Sequence, residues 1–291
     1  MKKTICFLLA AALIAFTGCA ASNPTEATVQ TVPETVRTET ASETPIETTI
    51  ETTAVPETEE VSPAASSEYV PYQAISTPVI TGSQTTVHVS TADEFLAALD
   101  NNVELVVDSA LIDFSTATGY GTDKGEHYYW NEEFDGPSLY LTDLENFTLR
   151  GNIDDRTAAT LSCVPRYAHV LTFQNCANIL VTGLTLGHTK EPGECIGGVV
   201  AFRNCQDALI ENCGLYGCGT WGVLGERSLR LQIINNEIYE CSIGGIYMMD
   251  CDGVTIDGNL IRDLGSEESP GAEYLGLGNV NVTMNGKEMC R

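Results

Sequence analysis

The sequence contains little positive charge. Its 14 Lys and Arg residues stand against 40 Asp and Glu residues, giving a formal net charge of −26. Nucleic acids and anionic membranes attract proteins through basic surfaces, so this charge balance makes both unfavourable partners. We therefore expect no nucleic-acid partner and no membrane contact through the folded surface.

The N-terminal apolar run is too short to span a membrane. It extends from Ile5 to Thr17, whereas a bilayer needs roughly 20 residues. Two lysines precede it, which indicates a removable signal over residues 1–18. Gly18-Cys19 resembles the lipobox of bacterial lipoproteins and implies a lipid on Cys19, although Phe16 replaces the usual leucine. We expect an outward-facing protein anchored to a bacterial envelope by this lipid alone, or an extracellular one if the lipobox is not processed.

Residues 19–68 lack aromatic residues and any apolar period. The segment is dominated by Thr, Glu, Pro, Ala, Ser and Val. Such a composition buries too little apolar surface to offset chain entropy, which predicts a disordered tether. Residues 69–291 are long enough to form one domain with a sizeable core.

This domain contains a repeat whose segments begin 23 to 32 residues apart. Each segment has apolar residues two apart, which is typical of a strand, followed by Gly or Asn at a fixed place, which is typical of a tight bend. A short repeat of strands and bends predicts a solenoid in which each coil covers the next. The first apolar residues of the six segments are Phe147, Ile179, Ala208, Leu231, Val254 and Val282.

These coils resemble the pectate-lyase-like superfamily, from Val87 to Met289. The resemblance implies an all-β fold, a right-handed parallel β-helix with three short strands per coil and an N-terminal capping helix. Thr91 and Glu94 form a capping-box motif where that helix would begin. No evident cap follows Met289, so we expect a C-terminally truncated chain or dimerisation through the open end.

The cysteines fall into two columns. Cys195, Cys218 and Cys241 are spaced by 23 residues, and Cys176, Cys205 and Cys251 form a second column with Ser228. Disulfide geometry does not suit stacked parallel strands, and the columns contain neither histidine nor a CxxC motif. We therefore expect buried, reduced thiols, with disulfides or a metal site as alternatives. Trp221 is expected to pack in the core, in space left by Gly198 and Gly244.

Enzymes with this fold usually bind polysaccharide along one outer sheet, and the resemblance implies the same surface here. The predicted outward ladders are Thr172, Ala201, Leu224, Tyr247 and Gln174, Arg203, Glu226, Met249. They show neither the aspartate-rich hydrolase motifs nor the basic lyase motif. Arg203 beside Glu226 is interpreted as a surface ion pair, with an acid/base couple as the alternative.

Two long loops, Gly187 to Gly198 and Asp263 to Glu273, predict a trough above this sheet. Three coils at ~4.8 Å each would separate the loops by roughly 14 Å, wide enough for a sugar chain. Acidic loops of this kind suit glycosidic cleavage or Ca²⁺ binding, or are simply solvated. The walls and floor would carry His188, Glu191, Glu194, Asp263, Glu267, Glu268, Glu273, Tyr247 and Glu226.

Two hypotheses remain open. The first is a polysaccharide lyase, epimerase or glycoside hydrolase acting on an extracellular polysaccharide through the trough, with Ca²⁺ as a candidate cofactor. The second is a non-catalytic surface module that binds a glycan or a protein. Fold analogy favours the enzyme, whereas the absence of catalytic motifs from the ladders favours the binding module.

The lipobox interpretation predicts the effect of one substitution. Cys19→Ala removes the sulfur that would carry the lipid, so the mature protein should move from the envelope fraction to the medium. Fractionation followed by immunoblotting measures this. Equal envelope retention of the variant would contradict the prediction.

Overall fold

The computed structural model describes residues 76–188, 196–217 and 219–290. The signal, Cys19 and the predicted tether lie outside these residues, as do Cys195 and Cys218. Within the described ranges, no helix is both long and apolar enough to span a bilayer.

The strands form three sheets, which we call A, B and C. In each coil the chain passes from sheet C to sheet A and then to sheet B. In spatial order, sheet A contains β1 (Thr85–Val89), β2 (Val103–Val107), β6 (Glu145–Arg150), β9 (Ala177–Thr182), β12 (Gln206–Glu211), β15 (Gln232–Ile234), β18 (Thr255–Asp257), β21 (Val282–Met284) and β22 (Lys287–Cys290). Sheet B contains β3 (Leu111–Asp113), β7 (Thr160–Cys163), β10 (Thr185–His188), β13 (Gly214–Tyr216), β16 (Glu237–Tyr239) and β19 (Leu260–Arg262). Sheet C contains β4 (Tyr128–Glu133), β5 (Gly136–Thr142), β8 (Leu171–Gln174), β11 (Val200–Arg203), β14 (Trp221–Glu226), β17 (Gly244–Met249) and β20 (Ala272–Leu277).

Neighbouring strands in these sheets are parallel, except in the hairpins β4–β5 and β21–β22. Two 3₁₀ turns, Phe114–Thr116 and Arg156–Ala158, complete the regular structure of the described residues. The predicted parallel β-helix is therefore confirmed.

The N-terminal end of the coils is closed by helix α1 (Ala92–Ala97). Thr91 Oγ1 accepts a hydrogen bond from the Glu94 backbone N–H at 3.2 Å. The Glu94 carboxylate accepts from the Ser90 N–H at 2.8 Å, one residue before the position that the capping box predicts. Phe95 is fully buried and its ring meets the Phe114 ring edge-on at 5.0 Å. The helix therefore closes the apolar core.

Bends between sheets A and B occupy the predicted Gly or Asn positions. Gly183, Asn212, Asn235 and Gly258 all have positive φ, which these residue types adopt more readily than others. Gly151 occupies the equivalent bend for a different reason, because a Cβ there would lie 2.3 Å from the Gly183 carbonyl oxygen. Close backbone approach, and not φ, requires glycine at that bend.

Buried asparagines connect successive coils beside these bends. Asn236 Oδ1 accepts from the Cys213 N–H at 3.0 Å, and Asn259 Oδ1 accepts from the Asn236 N–H at 2.9 Å. The Asn236 amide also donates to the Ile210 carbonyl at 2.9 Å. Each bond satisfies a polar backbone group that would otherwise be costly to bury.

The described cysteines are free thiols, and all but Cys290 are buried. The column of Cys176, Cys205, Ser228 and Cys251 is as the spacing predicts, with Ser228 Oγ accepting from the Cys205 N–H at 3.0 Å. Burial raises the pKa of the Cys213 and Cys241 thiols to about 12, so these groups are protonated and unreactive at neutral pH.

This burial predicts how the thiols react. Cys176, Cys205, Cys213, Cys241 and Cys251 should resist alkylation in the folded protein and react fully in denaturant without prior reduction. Mass spectrometry of iodoacetamide-treated samples measures both states. A requirement for reductant at any of these five positions would show a disulfide and contradict the structure.

Candidate functional site

The outer face of sheet C has the predicted register. Arg203 pairs in register with Gln174 on one side and Glu226 on the other, and Met249 follows Glu226. Parallel pairing places these side chains in one row, about 4.8 Å apart. Arg203 lies in the middle of this row.

Arg203 makes three contacts through different nitrogens. Its Nη1 donates to the Tyr140 hydroxyl at 2.5 Å, and its Nη2 lies 3.4 Å from His169 Nε2. Its Nε is 3.2 Å from Glu226 Oε2, in a geometry that leaves the Nε–H without a hydrogen bond. We call Tyr140, His169, Gln174, Arg203 and Glu226 the Arg203 site.

The tautomer of His169 follows from its neighbour. The Gly198 backbone N–H donates to Nδ1 at 2.8 Å, so Nδ1 carries a lone pair and the neutral ring carries its proton on Nε2. Burial, together with the nearby Arg203 charge, lowers the pKa of His169 to about 4. At neutral pH two N–H donors, from His169 and Arg203, therefore face each other with no acceptor between them.

Tyr140 adds a third polar group. Its oxygen accepts from Arg203, so the Tyr140 hydroxyl proton is not used in that bond. Burial raises the pKa of Tyr140 more than the Arg203 charge lowers it, so the phenol remains protonated at neutral pH. The Tyr129 ring stacks on Tyr140 at 5.0 Å, and its hydroxyl donates to Gln174 Oε1 at 2.6 Å. This packing holds the site in place.

The arrangement suits an anionic oxygen. A guanidinium, an imidazole N–H and a phenol O–H converge on one region, and charge-assisted hydrogen bonds to carboxylates are among the strongest in proteins. Glu226 is the one carboxylate that contacts Arg203 among the described residues. Glycoside hydrolysis needs two facing carboxylates, so this geometry favours anion binding over hydrolysis.

The predicted trough is only partly supported by where its residues lie. Glu191 and Glu194 are outside the described residues. His188 was expected on a wall, and that placement is wrong because its side chain is fully buried. Its Nε2 bonds to the Ala168 carbonyl at 2.8 Å, so His188 anchors the loop that carries His169.

The second long loop contains both ion-paired and exposed acidic residues. Asp263 forms an ion pair with Arg262, whose Nη2 also lies 2.6 Å from Glu237 Oε1. Arg156 contacts the same Glu237 carboxylate from another coil. Asp263 therefore belongs to a charge network on sheet B. Three further acidic residues of the predicted wall are exposed, namely Glu267, Glu268 and Glu273.

Trp221 is buried, as expected, but it packs in a small apolar cluster on the outer face of sheet C and not in the main core. Its ring stacks on Tyr247 at 5.3 Å and packs with Ala201 and Leu224. It does occupy space left by glycine, since a Cβ at Gly244 would lie 2.3 Å from the Trp221 ring. Tyr247 is thus partly exposed above the buried Trp221 ring, on the same face as Arg203.

Sequence reasoning found Arg203, Glu226 and Tyr247 but missed Tyr140 and His169. Tyr140 lies on β5, outside the six aligned segments, and His169 lies in the loop before β8. Strand register could have identified Tyr140, because Tyr140 pairs with Thr172 and so extends the predicted ladder by one coil.

Metal binding at the predicted walls remains a prediction. The described residues contain no group of three or more His, Cys, Asp or Glu side chains arranged to hold a metal ion. Ca²⁺ therefore remains a candidate cofactor to be tested by titration.

Comparison with known proteins supports the fold. Residues 143–286 match the family model of the right-handed beta helix region. A search of curated proteins finds none that matches the chain.

Solved structures that match the chain include two proteins. One is a protein from Parabacteroides merdae ATCC 43184 described as a candidate glycosyl hydrolase, with 10% identity, a TM-score of 0.36, and coverage of 67% of this chain and 97% of that one. The other is the mannuronan C-5 epimerase AlgE4 A-module of Azotobacter vinelandii, with 13% identity, a TM-score of 0.22 and coverage of 64% of each chain.

The lowered pKa of His169 predicts a pH-dependent stability. The unfolded chain binds a proton on this histidine below about pH 6.5, whereas the folded chain binds it only near pH 4. The stabilising effect is therefore complete above pH 6.5 and is lost as pH falls towards 4. Over that pH window, the free energy of unfolding of the wild type should fall by about 2 kcal/mol more than that of His169→Gln. Urea unfolding across pH measures this, and parallel pH profiles would contradict it.

Proposed function

We propose that this chain binds an acidic polysaccharide along sheet C, with a uronate carboxylate between Arg203 and His169. The observation that carries the proposal is the facing pair of N–H donors, 3.4 Å apart at their nitrogens, without an acceptor. A carboxylate oxygen supplies that acceptor.

The polysaccharide class is supported by the fold and the surface. The β-helix enzymes that the repeat resembles bind polysaccharide along this outer sheet. Tyr247 and Trp221 lie on the same face, and aromatic rings commonly line ligand sites. The exposed acidic residues Glu267 and Glu268 would repel further carboxylates of the chain, so Ca²⁺ bridging at those loops is part of the proposal.

The binding test uses an arginine control. Arg203→Gln should weaken binding of polygalacturonate or polymannuronate by about 10- to 100-fold, since a charge-assisted bond is lost. Arg230→Gln is the matched control, because Arg230 makes a comparable ion pair with Asp207 away from sheet C. Calorimetry with native and carboxyl-reduced polymer measures the difference.

Three outcomes decide the proposal. Loss of binding in Arg203→Gln, with none in Arg230→Gln and no binding of carboxyl-reduced polymer, supports it. Equal binding of reduced polymer, or an unaffected Arg203→Gln variant, overturns it. The double variant Arg203→Gln/Glu226→Gln is compared with Arg203→Gln alone. This comparison separates the loss of the ligand contact from the effect of leaving Glu226 unpaired.

The acidic loop makes a separate contribution. Glu267→Ala/Glu268→Ala should weaken Ca²⁺-dependent binding and leave thermal stability unchanged, because both side chains are exposed. Titrating the polymer with Ca²⁺ and with a chelator measures the effect. Unchanged binding by the double variant in both conditions would show that the loop is solvated surface only.

Catalysis is a second candidate function, and the position of Glu226 favours it. A cation that neutralises a uronate carboxylate makes the neighbouring C–H more acidic, and Glu226 is the carboxylate next to Arg203 that can accept that proton. His169 and Tyr140 are less suited, since both carry their protons at neutral pH. Incubation with the bound polymer, followed by assays for unsaturated ends and for inverted C5, tests this. Products that persist in Glu226→Gln would exclude Glu226 as the base.

A further inference from the structure

Phe134 is the exception among the phenylalanines of the described residues. It is 85% exposed, whereas five others are almost fully buried. An exposed aromatic side chain is unfavourable in water and often marks a binding surface. Phe134 lies in the turn between β4 and β5, at the edge of sheet C from which β5 leads to Tyr140.

Hydrogen bonds hold this turn against a second loop. The Asp135 carboxylate accepts from the Arg166 N–H at 2.7 Å and from the Tyr167 N–H at 3.1 Å. Gly136 has φ of +144°, and a Cβ there would lie 2.8 Å from the Pro165 ring. The backbone beneath Phe134 is therefore fixed by polar bonds and by close packing.

Phe134 and Tyr167 form one aromatic surface. Their ring centroids are 5.0 Å apart, with planes inclined at 46°. We call this pair the Phe134–Tyr167 surface. Charged side chains flank it in sequence, including Glu133, Asp135 and Arg166. The apolar area is thus small and bordered by polar groups, which suits one ring-sized ligand better than a protein interface.

Tyr167, one of the two rings of the Phe134–Tyr167 surface, belongs to the loop that carries His169. Tyr167 precedes His169 by two residues, so their Cα atoms are at most about 7 Å apart. Ser138 Oγ, on the strand that follows Phe134, donates to the His169 carbonyl at 3.3 Å. The chain from Tyr167 to His169 and one hydrogen bond therefore connect the aromatic surface to the Arg203 site.

We propose that the Phe134–Tyr167 surface is a stacking subsite for a pyranose ring further along the polysaccharide whose uronate is held at Arg203. Aromatic faces carry partial negative charge, and the C–H groups on one face of a pyranose carry partial positive charge, so the two attract. The fixed turn means that little conformational entropy is lost on binding. This inference rests on the proposed acidic-polysaccharide function.

The test compares oligosaccharides of increasing length. Phe134→Ala should weaken binding of a uronate tetramer by about 2- to 10-fold, the range expected for one aromatic stacking contact. Phe134→Trp should retain affinity, because it keeps a ring at the same place. A single uronate unit should bind both variants as it binds wild type, since it reaches only Arg203.

A matched control is available at Ile153, which is 58% exposed and lies on another part of the surface. Ile153→Ala should leave tetramer binding unchanged. If Arg203→Gln loses binding but Phe134→Ala does not, the subsite is absent and the proposed function stands. If neither variant affects binding, the proposed function itself fails. Equal losses for the monomer and the tetramer would show a general change in the loop and overturn the subsite.

Discussion

Backbone hydrogen bonds between successive parallel strands are the constraint on which this structure depends. They fix the register of each coil on the next, so equivalent side chains repeat about one strand spacing apart. Gln174, Arg203 and Glu226 are aligned because β8, β11 and β14 pair without a shift. The same register stacks Phe173 on Phe202 inside the core, with parallel rings 5.4 Å apart. The same strand pairing thus sets both the packing of the core and the outer ladder.

Register alone would leave Arg203 in a simple ion pair with Glu226. A loop and the first hairpin of sheet C add the groups that alter the chemistry of Arg203. Tyr140 arrives on β5, and His169 arrives on a loop whose position is fixed by His188, Gly198 and Asp135. Because Gly198 occupies the His169 Nδ1 lone pair, the imidazole presents a proton to the guanidinium. The scaffold therefore holds two donors together at a place where an acceptor belongs.

The charge of the molecule makes this site distinctive. A chain with a net charge of −26 repels anions in general, so the Arg203 site would direct the proposed acidic polysaccharide to one place on sheet C. On sheet B, by contrast, Arg156 and Arg262 both contact Glu237. Burial alone would raise the pKa of Glu237, but hydrogen bonds from both arginines hold it below its usual value. Those arginines donate hydrogen bonds to their shared carboxylate, whereas the Arg203 Nε–H lies beside Glu226 without a hydrogen bond.

The architecture follows from the sequence, since period-two apolar residues and bends at fixed intervals specify stacked strands through local conformational preference. The thiol column of Cys176, Cys205 and Cys251 and the Arg203–Glu226 row follow in the same way, from counting residues along equivalent strands. Only the tertiary structure decided the site. The burial of His188, the outward packing of Trp221 and the meeting of Tyr140 with His169 depend on loop paths, and loops carry no period from which their course can be read.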